Sequence, residues 1–177
     1  MRCLRLIPLL LLSCLTACFE EAADLTNPKV YDSNQIFFKY PANWEISQDT
    51  YTPAVHNLFV ETPGDALVIF QSFPANLAND LKIFSKEFSE SMQEQTPIGK
   101  ISNSDLKSIP KEGGFEWIEE EFEISILGES IPHKRIYGSK KIANRQIILI
   151  FQSATEDYPK AVPGFQLIRD TLEKSEK

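Results

Sequence analysis

Phe115-Glu116-Trp117-Ile118-Glu119-Glu120-Glu121-Phe122-Glu123-Ile124-Ser125-Ile126-Leu127-Gly128-Glu129-Ser130-Ile131-Pro132-His133-Lys134-Arg135-Ile136-Tyr137-Gly138 alternates apolar with charged residues. A period of two is that of a strand with one face on a core, and Gly128-Glu129 reads as a two-residue Gly-X hairpin turn. Across such a turn, residues whose numbers sum to 257 oppose each other. Glu123 then faces Lys134 with Glu121 diagonal to it, and Phe122 faces Arg135 with Glu120 diagonal. Opposite charges across a sheet contribute roughly 0.2–1 kcal/mol each. The acidic run Glu116, Glu119, Glu120, Glu121, Glu123 is therefore read as a solvated, charge-paired strand in preference to a calcium site. Phe115 and Trp117 share a parity with Glu119 and Glu121, whereas Ile118, Phe122, Ile124 and Ile126 take the other. Either a β-bulge near residue 118 switches the apolar face, or both faces are covered there. The bulge makes Trp117 the candidate for an exposed or pocket-lining aromatic on a binding surface.

Working outward, Arg145 to Phe151 reads as a buried strand and Ile98 to Ile109 as a weaker one. Upstream, Ile36 to Tyr40 is a strand halted by Pro41, and Asn43 to Ile46 starts another short segment. Leu58-Phe59-Val60 and Ala66 to Phe70 flank Thr62-Pro63-Gly64-Asp65, whose Pro-Gly pair suits a type II turn. Between the strand groups, Leu77, Leu81, Phe84, Phe88 and Met92 fall on one stripe of a helix that Asn76 would cap. A last helix begins at Pro159 or Pro163 and aligns Phe165, Ile168 and Leu172. Strands, helix, strands, helix, with hairpins between neighbours, predict an α+β fold: an antiparallel β-sheet flanked by two main helices.

The first residues speak of location. Met1 to Arg5 is a short basic start bearing Arg2 and Arg5, and Leu6 to Ala17 is uncharged and mostly leucine. Twelve helical residues span roughly 18 Å, short of the roughly 30 Å hydrocarbon core, so residues 1–17 read as a secretory signal and not a membrane span. Leu15-Thr16-Ala17-Cys18 resembles the bacterial lipobox. That resemblance implies cleavage before Cys18, which would carry a diacylglyceryl group and an N-acyl chain. Phe19 rather than Asp after it points, by the enteric sorting rule, to the outer membrane facing the periplasm. Residues 18–34 read as a flexible tether and residues 35–177 as a single globular domain.

Composition excludes several chemistries. Cys3, Cys14 and Cys18 are all the cysteines of the chain, so the body beyond Cys18 can hold neither a disulfide, nor a thiol nucleophile, nor a cysteine-ligated metal. From Cys18 onward 16 Lys and Arg stand against 25 Asp and Glu, a net charge of −9 that repels nucleic acid. His56 and His133 are the two histidines and form no local metal-binding pair; no metal and no cofactor is expected. There is no Gly-x-Ser-x-Gly and no phosphate-cradling loop around Gly113-Gly114, so no catalytic residue is assigned.

Phe37-Phe38-Lys39-Tyr40-Pro41-Ala42-Asn43-Trp44 resembles the opening of PsbP-like domains, with Tyr40-Pro41-x-x-Trp44 its sharpest motif. The order of elements from Gln35 to Leu172 is similar to that family's plan. The family includes a photosystem II extrinsic subunit, a Ran-binding import factor and DcrB-like envelope lipoproteins. The resemblance implies an α/β/α sandwich and a non-enzymatic accessory or binding role, contacting another envelope protein. A carrier of a small or hydrophobic ligand is the alternative, and an envelope hydrolase, which would gather His56 or His133 with an acid in a cleft, the third.

Overall fold

The central hairpin is present in the computed structural model, with its turn one residue earlier than the sequence suggests. β7 (Phe115–Ile126) and β8 (Glu129–Ile142) pair antiparallel with Ile126 opposite Glu129. The turn is thus Leu127-Gly128 and not Gly128-Glu129. Both residues have positive φ, 52° and 92°, as a type I′ turn requires, and glycine takes the second position. The slip of one residue leaves every side chain on the face expected for it but shifts the pairing. Glu121 now faces Lys134 directly, and Glu120 faces Arg135.

The structure describes residues 21–95 and 100–176; the signal, Cys18 and the start of the tether lie outside them. The other elements are β1 (Lys29–Ser33), β2 (Ile36–Tyr40), β3 (Glu45–Tyr51), β4 (His56–Glu61), β5 (Leu67–Pro74), α1 (Leu81–Gln95), β6 (Lys100–Glu112), β9 (Arg145–Ala154), α2 (Tyr158–Thr171) and β10 (Glu173–Lys174). Seven strands form one antiparallel sheet in the order β3-β4-β5-β9-β8-β7-β6, and β1, β2 and β10 form a small second sheet. α1 covers one face of the large sheet over Ile69, Ile118, Tyr137, Ile148 and Ile150. α2 and the small sheet cover the other over Phe70, Trp117, Leu149 and Phe151. This is the α+β fold with two flanking helices that the sequence predicts.

Three local expectations are corrected. Lys29–Ser33, read as tether, is β1, held against β2 from Lys29–Tyr40 to Ser33–Ile36; Tyr31 stacks on Phe38 and is buried. One aromatic in a polar stretch is too sparse for a strand pattern. α1 starts at Leu81, not near Leu77, because Asp80 Oδ1 accepts the Lys82 N–H at 2.8 Å and caps the helix. Leu77 is 64% exposed and sits in a turn. Gly64 does not take positive φ; Glu61 faces Leu67, and the five-residue loop between them is braced by Thr62, whose hydroxyl donates to the Ala66 carbonyl.

Candidate functional site

Trp117 is where the two covered faces explain each other. β7 pairs with β8 without interruption from Glu116 to Ile126, so of the two alternatives near residue 118 the bulge is absent; the extra residues lie on β6, around Ser102–Asp105 and Ile109–Glu112. Trp117 is buried on the α2 side and Ile118 on the α1 side, so both faces are covered. The polarity changes along β7 because α2 covers only its first residues. Trp117 is therefore not exposed, at 6% accessibility, but it does line a pocket.

That pocket is a cleft of about 180 Å³, open to solvent, between β6–β7 and α2. The Trp117 ring lies flat on Gly138, where an added Cβ would fall 2.2 Å from it. It stacks on Phe115 at 4.8 Å between centroids, and its indole N–H donates to the Glu112 carbonyl at 3.1 Å. The opposite wall comes from α2. Tyr158, Val162, Phe165 and Arg169 recur at helical spacing and face the cleft. Phe165 stacks on Phe151 at 4.8 Å and meets Tyr158 at 5.9 Å. The rim is charged: Arg169 donates to Glu112 at 3.1 Å and to Asp170 at 2.6 Å, and Lys134 pairs with Glu119 at 3.0 Å above the Tyr158 ring. The Asp170 contact raises the Arg169 guanidinium further, and burial raises the Tyr158 phenol. An apolar floor inside a paired rim can receive an apolar side chain. None of the cleft's lining residues is a serine, threonine, cysteine or histidine. The α2 wall escaped sequence reasoning because its stripe has meaning only once α2 is known to lie over β7.

Each histidine does meet an acid, away from this cleft. His56, fully buried, places Nε2 2.7 Å from Asp49, which also accepts from the Tyr31 hydroxyl at 2.8 Å. Burial and the Asp49 carboxylate push the Tyr31 phenol up to about 12. His133 Nε2 lies 3.5 Å from Asp65, whose carboxylate also takes the Ala154 N–H at 3.0 Å and the Ser153 hydroxyl at 3.4 Å. In this second group both serine and histidine turn to the acid, so the histidine cannot activate the hydroxyl as a relay would need. Neither histidine lines the Trp117 cleft.

Beneath α1 lies a polar cluster. Glu120 and Arg135 are fully buried, and Arg135 Nη1 donates to Glu120 at 2.8 Å. The Glu120 carboxylate also accepts from Tyr137, Ser89 and Ser104 at 2.5–2.7 Å. Among the described residues Arg135 Nη2 meets no hydrogen-bond partner, but the guanidinium sits 4.4 Å from the Phe122 centroid. Burial drives the Tyr137 phenol far up. The acidic run is thus split between this interior anchor and surface pairs such as Lys134 with Glu119. Among the described residues no three His, Cys, Asp or Glu side chains converge on a point fit for a metal, and no helix is long and apolar enough to cross a membrane.

No family profile matches the chain, and no curated protein sequence matches it. Solved structures do. Cyanobacterial PsbP (CyanoP) from Synechocystis sp. PCC 6803 superposes with a TM-score of 0.54 at 9% identity, over 83% of this chain and 92% of that one. The Ran-binding protein Mog1p of Saccharomyces cerevisiae gives 0.48 at 8% identity, over 84% and 96%. LpqN, involved in cell envelope biogenesis of Mycobacterium tuberculosis, gives 0.42 at 10%, over 84% and 91%. At these identities the likeness is one of fold: the domain has the PsbP-like α+β architecture.

Proposed function

We propose that this chain is a lipid-anchored accessory protein of the bacterial envelope that binds another envelope protein through the Trp117 cleft and catalyses nothing. The carrying observation is the cleft itself: about 180 Å³, aromatic, open and charge-rimmed. Pockets that enclose a small molecule run to about 300–1,000 Å³, so its size favours a side chain of a partner over a carried ligand. Of the larger hollows, those of about 380 and 350 Å³ are lined half or more by lysines and acids. That of about 290 Å³, which also touches Trp117, mixes Asp80, Lys82, Lys111 and Glu116 with Leu81, Ile109 and Ile118. The lipobox ending at Cys18 supports the anchor, and Phe19 the outer membrane. The test is a photocrosslinking amino acid at Gln166, on the cleft rim, in the native lipoprotein, with Lys86 on the exposed side of α1 as the control position. One protein crosslinked at 166, absent at 86 and lost with Val162→Glu, is the expected result. The same abundant lipoproteins at both positions would overturn it.

A further inference from the structure

β8 outruns β9 at one end of the sheet. β9 stops at Ala154, opposite His133, whereas β6 accompanies β7 from Lys100, opposite Ser125. Beyond His133 β8 continues with β7 as a ribbon, edged by β6 as far as Ser125, to the Leu127-Gly128 turn, on the order of 17 Å at 3.4 Å per residue. Its tip is apolar. Leu127 is 101% exposed, with Ile126 and Ile131 each 37% exposed beside it. Leu127 also holds φ 52°, a left-handed conformation that glycine or asparagine takes with less strain than leucine. Neither turn chemistry nor solubility selects leucine there, and a strained, exposed apolar residue points to something outside the fold that receives it.

The position of the ribbon says what. Its base is fixed to the start of α2, where the Thr155 N–H donates to the Pro132 carbonyl at 2.8 Å. The chain's first described residues are tied to the first turn of the same helix: the Ala23 N–H donates to the Lys160 carbonyl at 3.2 Å. Ribbon and N-terminal segment therefore leave the same end of the molecule. Cys18 precedes Glu21 by three residues, a reach of about 10 Å at most. We infer that the Leu127 tip, with Ile126 and Ile131, inserts into the interfacial layer of the bilayer that holds the acyl chains of Cys18, giving the domain a second membrane contact and one orientation. The inference rests on the lipid-anchor reading above. Interfacial segments reach about 5–10 Å into the headgroup and acyl boundary. Ser125, Ser130 and the exposed Glu129 beside the tip suit zwitterionic headgroups better than anionic ones.

Because the body holds no cysteine beyond Cys18, a single introduced thiol can be labelled cleanly in the acylated full-length product. Leu127→Cys, Ile131→Cys and, at the far end of the sheet, Lys141→Cys are labelled with an environment-sensitive fluorophore. Each is reconstituted in phosphatidylcholine vesicles containing spin-labelled lipid. The labels at 127 and 131 are expected to be quenched several-fold more than the label at 141. If acylated protein floats with the vesicles and all three labels stay equally unquenched, the inference fails and the anchor stands. If the protein neither carries acyl mass nor floats, the anchor reading fails and the inference with it.

Discussion

Gly138 and Trp117 fit as a pair, since the indole occupies the space that any Cβ on residue 138 would need. Gly138→Ala is expected to lower stability by about 1–3 kcal/mol, the usual cost of overpacking. Urea unfolding measures that loss, and tryptophan emission should move to the red as Trp117 lifts from the cleft floor. The buried Glu120–Arg135 pair is more demanding. Arg135→Met leaves a carboxylate without its cation in the interior and should cost about 3–5 kcal/mol by the same measurement. Replacing both partners by apolar residues should cost less than that single change. Asp65 provides the pH test. Its carboxyl is held below the ordinary 3.8 chiefly by the hydrogen bond from His133, with help from the Ala154 N–H and against its partial burial. A carboxyl whose pKa is lower folded than unfolded adds stability above its unfolded value and gives that up as pH falls through the folded one. Asp65→Asn should therefore flatten the acid limb of a curve of Tm against pH below about pH 4. The effect is modest because the side chain is 42% exposed. An unchanged acid limb would show that the His133 contact does not persist in solution.

At the scale of elements, α1 shows how far periodicity carries and where it stops. Leu81, Phe84, Phe88 and Met92 are legible as a stripe because a helix facing a sheet needs an apolar residue every third or fourth position. Leu77 fits the same arithmetic without being in the helix, and Asp80, the true cap, is one polar residue among several. Asp80→Ala is expected to cost about 1 kcal/mol, with amide exchange of the first turn of α1 accelerated and that of β9 scarcely changed. The spacing also hides that the helix faces the sheet with serines: Ser85 and Ser89 are buried between the aromatics, and Ser89 reaches Glu120. The central hairpin is legible in its strands and its faces, but its turn lies one residue from where the sequence puts it. Glycine fits either position of a two-residue turn, and only the backbone shows that Leu127 accepts the strained one. The side chains of β7 announce a change of face, yet the bulges lie on β6, whose pattern is too polar to announce anything.

For the whole molecule, the sequence carries the class of the fold and one wall of the cleft. It does not carry the sheet order, because the meeting of β5 with β9, as in Phe70 beside Leu149, joins strands with no local signal of each other. The Tyr31–Asp49–His56 group likewise comes from three strands in two sheets. α2 binds the parts together: Ala161, Phe165 and Ile168, with Leu172 just past its end, are all buried against the core, and Gly164 admits the Trp44 ring, which a Cβ would meet at 2.4 Å. A chain ended before Tyr158 should lose its near-ultraviolet circular dichroism and bind a hydrophobic dye, while the intact chain does neither. β10 adds a second closure, since Glu173 pairs with Phe37. β1 and β2 thus wait for α2 before their core is sealed. Contacts of such long sequence separation form slowly. During refolding β1 and β2 therefore stay open to proteases until α2 and β10 dock, although they lie far ahead of both in the chain.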